Sequence, residues 1–110
     1  MTHPTVTIID VHELKKRQAL EPHLCLIDVR EPDEWEEARI PGALHIPKDT
    51  LPACIETEVP ERHKAIYLYC KGGVRSLYAG QSLIAMGYRE VYSIEGGIIE
   101  WAMSGYPVEV

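Results

Sequence analysis

Ala65-Ile66-Tyr67-Leu68-Tyr69-Cys70-Lys71-Gly72-Gly73-Val74-Arg75-Ser76 is the stretch from which the fold is read. Residues 65–69 are β-rich and run straight into a cysteine. Two glycines then break the run. From Arg75 to Met86, the spacing of Leu77, Ala79, Gly80, Leu83 and Ile84 predicts the face of a buried helix, which Gly87 stops. Strand, glycine loop and helix in this order are the beginning of a parallel crossover unit.

The same alternation extends both ways. Thr5 to Ile9 reads as a β-branched strand, and Asp10 as a helix N-cap with Glu13 completing a capping box. Val11 and Leu14 begin a helical face that ends near Leu20 and Pro22. Leu24 to Val29 is apolar except for Asp28, the pattern of a strand covered on both faces. Pro32 opens a further helix whose first turns carry Asp33, Glu34, Glu36 and Glu37, read as a solvated helix start and not as a metal site. Pro41-Gly42 makes a turn, Ala43 to Ile46 a short strand, and Leu51 to Thr57 a brief helix. Val91 to Ile94 is the last strand, and Gly96-Gly97 leads into a final helix with Ile98, Ile99 and Trp101. The expected fold class is therefore α/β: one domain over residues 1–110, a three-layer α/β/α sandwich around a five-stranded parallel sheet.

Composition narrows the function. The chain has 110 residues, 45% hydrophobic and 25% charged, the balance of a soluble globular domain. Seventeen acidic against eleven basic side chains give a net charge of −6, which disfavours nucleic acid and anionic membrane as partners. No apolar run has the length of a bilayer span or the form of a secretory signal. Three cysteines, Cys25, Cys54 and Cys70, do not make a disulfide framework, so a reducing compartment, the cytoplasm, is expected. The histidines at positions 3, 12, 23, 45 and 63 show no metal-ligand spacing, and each is read as solvated or structurally bonded.

In open parallel sheets ligands bind beyond the carboxyl ends of the strands. Three loops qualify, those after Val29, Ile46 and Tyr69, and only the third carries chemistry. Cys70 stands between a strand end and a helix start, where free amides and the positive helix end lower a thiol pKa. Gly72 and Gly73 let successive amides curl inward as an anion nest, and Lys71 and Arg75 add positive charge on the same side. Cys70 is thus the candidate nucleophile, with Lys71, Gly72, Gly73, Val74 and Arg75 as the cradle for an anion bonded to sulfur.

Four segments in order then resemble a single-domain rhodanese, a thiosulfate sulfurtransferase, over nearly the whole chain. They are Ile27-Asp28-Val29-Arg30-Glu31-Pro32-Asp33-Glu34-Trp35, Ile40-Pro41-Gly42-Ala43 with Ile46-Pro47, the loop Cys70 to Arg75, and Glu95-Gly96-Gly97-Ile98 with Trp101. Glu37-Ala38-Arg39 departs from the Gly-His usual before Ile40-Pro41, a change expected to affect a surface turn only. The resemblance implies that the Cys70 thiolate takes the outer sulfur of thiosulfate or a persulfide donor. The resulting persulfide would then pass that sulfur to cyanide, a thiol or a protein acceptor such as thioredoxin, without a cofactor. Lys71 stands where thiosulfate-selecting members often carry a basic residue.

Two competitors stay open: a cysteine phosphatase or arsenate reductase, and a non-catalytic rhodanese-like binding module. The first uses a Cys-x5-Arg loop, whereas Cys70 to Arg75 is one residue shorter. Asp28 and Arg30 are expected to hold loops through buried charge-assisted bonds. Arg75 either binds donor oxygens or pairs with a carboxylate such as Glu95. Cys25 is read as a small core residue, Cys54 as helix packing or a resolving thiol, and Trp35 and Trp101 as core or near-core.

Overall fold

Ile66 to Tyr69 are all buried and form the strand at the centre of the sheet, and everything else is arranged about it. A computed structural model of the chain describes residues 4–110, so His3 lies outside the described residues. The elements are β1 (Thr7–Ile9), α1 (Val11–Leu20), β2 (Cys25–Asp28), α2 (Pro32–Glu37), β3 (Leu44–His45), α3 (Leu51–Glu58), β4 (Ile66–Tyr69), α4 (Val74–Ala85), β5 (Val91–Ile94) and α5 (Gly97–Met103). The strands pair in the order β1-β5-β4-β2-β3, every pair parallel, giving the expected five-stranded α/β sheet.

Because side chains alternate along a strand, β4 feeds two cores at once. Ile66 and Leu68, followed by Cys70, join Ile27, Ile55, Ala79, Leu83 and Val91 under α3 and α4. Tyr67 and Tyr69 point the other way, into Leu14, Leu26, Ile94, Ile98 and Trp101 under α1 and α5. Asp28 and Tyr69 are register partners at the carboxyl end of the sheet, and the Val29 amide continues the ladder onto the Tyr69 carbonyl at 3.0 Å. The Cys70 loop and the Arg30 loop therefore leave the same edge side by side.

Local expectations needed two corrections. Asp10 caps α1 by accepting from the Glu13 amide at 2.8 Å, but the Glu13 carboxylate turns to Arg17 at 2.7 Å and does not close a box. It is Glu34 that reaches back, accepting from the Glu31 amide at 3.0 Å at the start of α2. Trp35 is not a core residue: α2 buries none of its side chains, and Trp35 is half-buried, stacked on His45 at 4.9 Å with the Arg39 guanidinium on its ring. Trp101 does lie in the core, with Nε1 donating to the Pro107 carbonyl at 2.7 Å.

Candidate active site

Cys70 is the first residue past β4, and its side chain is turned to the α4 side of the sheet, with 1% of the residue exposed. The chain then bends back so that two amides donate to one sulfur, whose thiol in turn donates to the Ser76 hydroxyl. The Gly73 amide lies 3.1 Å from Sγ, the Ser76 amide 3.4 Å, and the Ser76 hydroxyl oxygen 3.6 Å. Burial pulls the Cys70 thiol pKa up, but the Ser76 hydroxyl and the amides of Ser76, Gly73 and Gly72 outweigh it, and the net direction is down. The donors of the N-terminal turn of α4 thus favour the anionic form of this sulfur.

The two loop glycines are not equivalent. Gly73 takes φ 109°, the left-handed region that a residue with a side chain rarely adopts, and this turn aims its amide at the sulfur. Gly72 has an ordinary φ, and a side-chain carbon there would meet nothing within 4 Å. Within this pair the conformational need for glycine therefore falls on Gly73, although the amides of both favour the anionic sulfur. Behind the loop, the start of α5 presses its amides onto it: Ile98 donates to the Cys70 carbonyl at 3.0 Å and Ile99 to the Lys71 carbonyl at 3.3 Å. Gly97, at φ 55°, makes this approach possible, because any Cβ there would collide with both carbonyl oxygens.

Arg75 is braced. Its Nη1 and Nη2 donate to Oε1 and Oε2 of Glu34 at 2.6 and 2.9 Å, a fork-on-fork pair between α4 and α2. Arg75 holds the Glu34 carboxyl down to about 2, far below the usual carboxylate range. The bracing role expected as one alternative is present, with one correction to the partner. The carboxylate partner is Glu34 and not Glu95, whose side chain is exposed and which contributes its amide to the Ile9 carbonyl at 2.8 Å. The pair engages two of the five N–H donors of the Arg75 guanidinium and fixes its orientation. The Glu34 carboxylate, read from sequence as a solvated acid, is the partner of the loop arginine that sequence reasoning missed.

Asp28 and Arg30 form the floor beside the loop. Arg30 donates from Nη2 and Nε to Asp28 at 2.7 and 3.1 Å, and its Nη2 also reaches the Ala38 carbonyl at 2.6 Å. His45 Nε2 bonds the Arg30 carbonyl at 2.8 Å, and the Tyr69 hydroxyl accepts from the Ile40 amide at 3.1 Å. Lys71 is exposed at the rim and borders a cleft of about 260 Å³ with Arg30, Glu34, Ile98, Ile99 and Val108. Val74 is 66% exposed on the first turn of α4, at the loop's outer side.

Cys25 lies away from this edge. Cys25 is half-buried at the amino end of β2, opposite Ile66, and burial pushes its thiol up. Cys54 is half-buried on α3, packed against the core. All three thiols are free. Among the described residues no cluster of His, Cys, Asp and Glu is arranged to hold a metal ion.

Residues 10–104 match the sequence profile of the rhodanese-like domain. A sulfurtransferase of Allochromatium vinosum is 36% identical over 103 residues, covering 94% of each chain. The tRNA uridine(34) hydroxylase of Pectobacterium carotovorum is 37% identical over 86 residues, which is 74% of this chain and 24% of that longer protein. Among solved structures, the rhodanese-like domain of the Anabaena Alr3790 protein superposes with a TM-score of 0.82 at 28% identity, over 99% of this chain and 80% of that one.

Proposed function

The chain belongs to the rhodanese-like domain family, and on that premise we propose that it is a sulfurtransferase working through a persulfide on Cys70. The observation that carries the proposal is the pair of amides, Gly73 and Ser76, that donate to one buried sulfur at the end of β4, with the Ser76 hydroxyl in hydrogen-bond contact beside them. In the first step the Cys70 thiolate attacks the outer sulfur of thiosulfate or of a persulfide donor. A new S–S bond forms, the donor's own bond to that sulfur breaks, and sulfite or a thiolate leaves with the electron pair. In the second step a thiolate or cyanide attacks the outer sulfur, and the Cys70 thiolate returns. Every step exchanges one sulfur–sulfur or sulfur–carbon bond for another, so no external oxidant or base is required.

The protein's part is electrostatic. Amides already aimed at the sulfur stabilise the negative charge at rest and on the persulfide, and they do not need to reorient during transfer. Arg75, locked to Glu34, fixes the first turn of α4 that supplies them. Lys71 at the rim attracts an anionic donor. The acceptor is a thiol, either small or on a protein such as thioredoxin, and the setting is a reducing one such as the cytoplasm.

Cyanolysis tests this reading. Purified protein with thiosulfate and cyanide should form thiocyanate with turnover, and Cys70→Ser should not. A protein that binds ligands but makes no thiocyanate from thiosulfate or any persulfide donor would be a binding module instead. Hydrolysis of an aryl phosphate faster than sulfur transfer would assign it to the phosphatases.

A further inference from the structure

Ser93 sits where an apolar side chain is expected. On β5, Val91 and Ser93 point to the same face, under α4, into a core of Leu68, Ala79 and Leu83. Ser93 is 2% exposed and Ser76, above it on α4, is fully buried. A hydroxyl buried among apolar groups is costly unless it is bonded. The oxygens of Ser93 and Ser76 lie 2.8 Å apart, the shortest contact either hydroxyl makes.

Counting protons shows what that contact decides. Ser76 has one hydroxyl proton and three acceptors in reach: Ser93 Oγ at 2.8 Å, the Gly73 carbonyl at 3.2 Å and Cys70 Sγ at 3.6 Å. If Ser76 donates to Ser93, the sulfur receives no hydroxyl proton. If Ser93 donates to Ser76, the Ser76 proton is released to the remaining two acceptors. An anionic sulfur is then the stronger one, because charge-assisted bonds exceed neutral ones. The Gly73 carbonyl, at the helix cap, has the first helix bond to accept in any case. Donation from Ser93 also polarises the Ser76 hydroxyl and makes it a better donor.

We propose that Ser93 is a positioning residue, which by donating to the Ser76 hydroxyl directs that hydroxyl's proton onto the Cys70 sulfur. This rests on Cys70 being the reactive thiolate of the proposed function. The Ser93–Ser76–Cys70 row is a hydroxyl relay that follows the charge. With a thiol, Sγ–H donates to Ser76 and the row runs toward Ser93; with an anion, it reverses. The other charged groups near the sulfur are Arg75 with Glu34, Lys71, the Asp28–Arg30 pair and exposed Glu95, and none of them bonds Ser93.

The test is the pH dependence of Cys70 alkylation, followed by peptide mass so that Cys25 and Cys54 do not interfere. Ser93→Ala should raise the Cys70 midpoint by about half a pH unit or more, as one charge-stabilising donor is misdirected. Ser76→Ala should raise it by at least as much, and adding Ser93→Ala to Ser76→Ala should change nothing further. Ser93→Thr and Ser93→Val, equal in shape but differing in the hydroxyl, repeat the comparison should the alanine variant not fold. The threonine midpoint should match wild type and the valine midpoint should be raised. An unchanged midpoint without the Ser93 hydroxyl, or the same shift in the Ser76→Ala background, overturns the proposal. A wild type that takes up no sulfur from thiosulfate or persulfides would overturn the sulfurtransferase reading alone, because alkylation reads the thiolate without reference to any donor.

Discussion

At the scale of single residues the site is a contest between burial and donors around one sulfur, and the donors win. Cys70→Ser nearly keeps the volume but replaces the thiol by a far weaker nucleophile, so sulfur transfer should fall below about a tenth of wild type at unchanged melting temperature. Cys25→Ser should instead leave activity per folded molecule intact and cost about 1 kcal/mol in chemical denaturation. The Glu34–Arg75 pair has a pH signature. The folded Glu34 carboxyl sits near 2, against roughly 4.3 for a free glutamate, so its contribution to stability is complete above the unfolded value. It is lost as pH falls from about 4.5 through 2. Both side chains are partly exposed, so the amount is about 1 kcal/mol. Glu34→Gln should show a correspondingly flatter acid-unfolding profile over that window, read by urea melts at several pH values. An equally steep profile in the variant would remove Glu34 as the source. Cys70 was legible from sequence because strand, cysteine, glycines and arginine are contiguous. Glu34 was not, because its partner is 41 positions away and an acid on a helix's first turns looks solvated.

At the scale of elements, two helix starts clamp the loop between them: α4 supplies amides to the sulfur, and α5 supplies amides to the loop carbonyls. Gly97→Ala should push α5 off the Cys70 and Lys71 carbonyls, costing about 2 kcal/mol or more and lowering sulfur transfer at least tenfold. Gly72→Ala meets open space and should stay within about twofold of wild type in activity and about 0.5 kcal/mol in stability. Equal damage from both would contradict the clamp. The order and type of the elements were readable from the alternation of apolar runs and turn residues, but their ends were not. Residues 43–46 read as a strand, yet β3 keeps only Leu44 and His45, opposite Ile27 and Asp28. β1 likewise begins at Thr7, not Thr5, because its ladder partners on β5 begin at Tyr92. Pairing fixes strand ends, and no single segment carries that information.

Across the whole molecule, charge opposes the proposed chemistry: a chain of net charge −6 would have to draw in an anionic donor. Under the proposed function Lys71 is the group that offsets this, an exposed cation bordering the cleft beside the loop. Lys71→Ala should lower kcat/KM for thiosulfate by up to about fivefold at low ionic strength, and by less than about twofold at 0.5 M salt, where the Debye length is only a few ångströms. Kinetics unchanged at both salt concentrations would leave the loop backbone alone to bind the donor. The central claim is that Cys70 carries the sulfur. Intact and peptide mass after incubation with thiosulfate, or with a persulfide donor, tests it most directly. One sulfur atom should be gained on the Cys70 peptide, lost again on adding cyanide, and never gained by Cys70→Ser. No gain from either donor, or a gain that maps to Cys25 or Cys54, would contradict it.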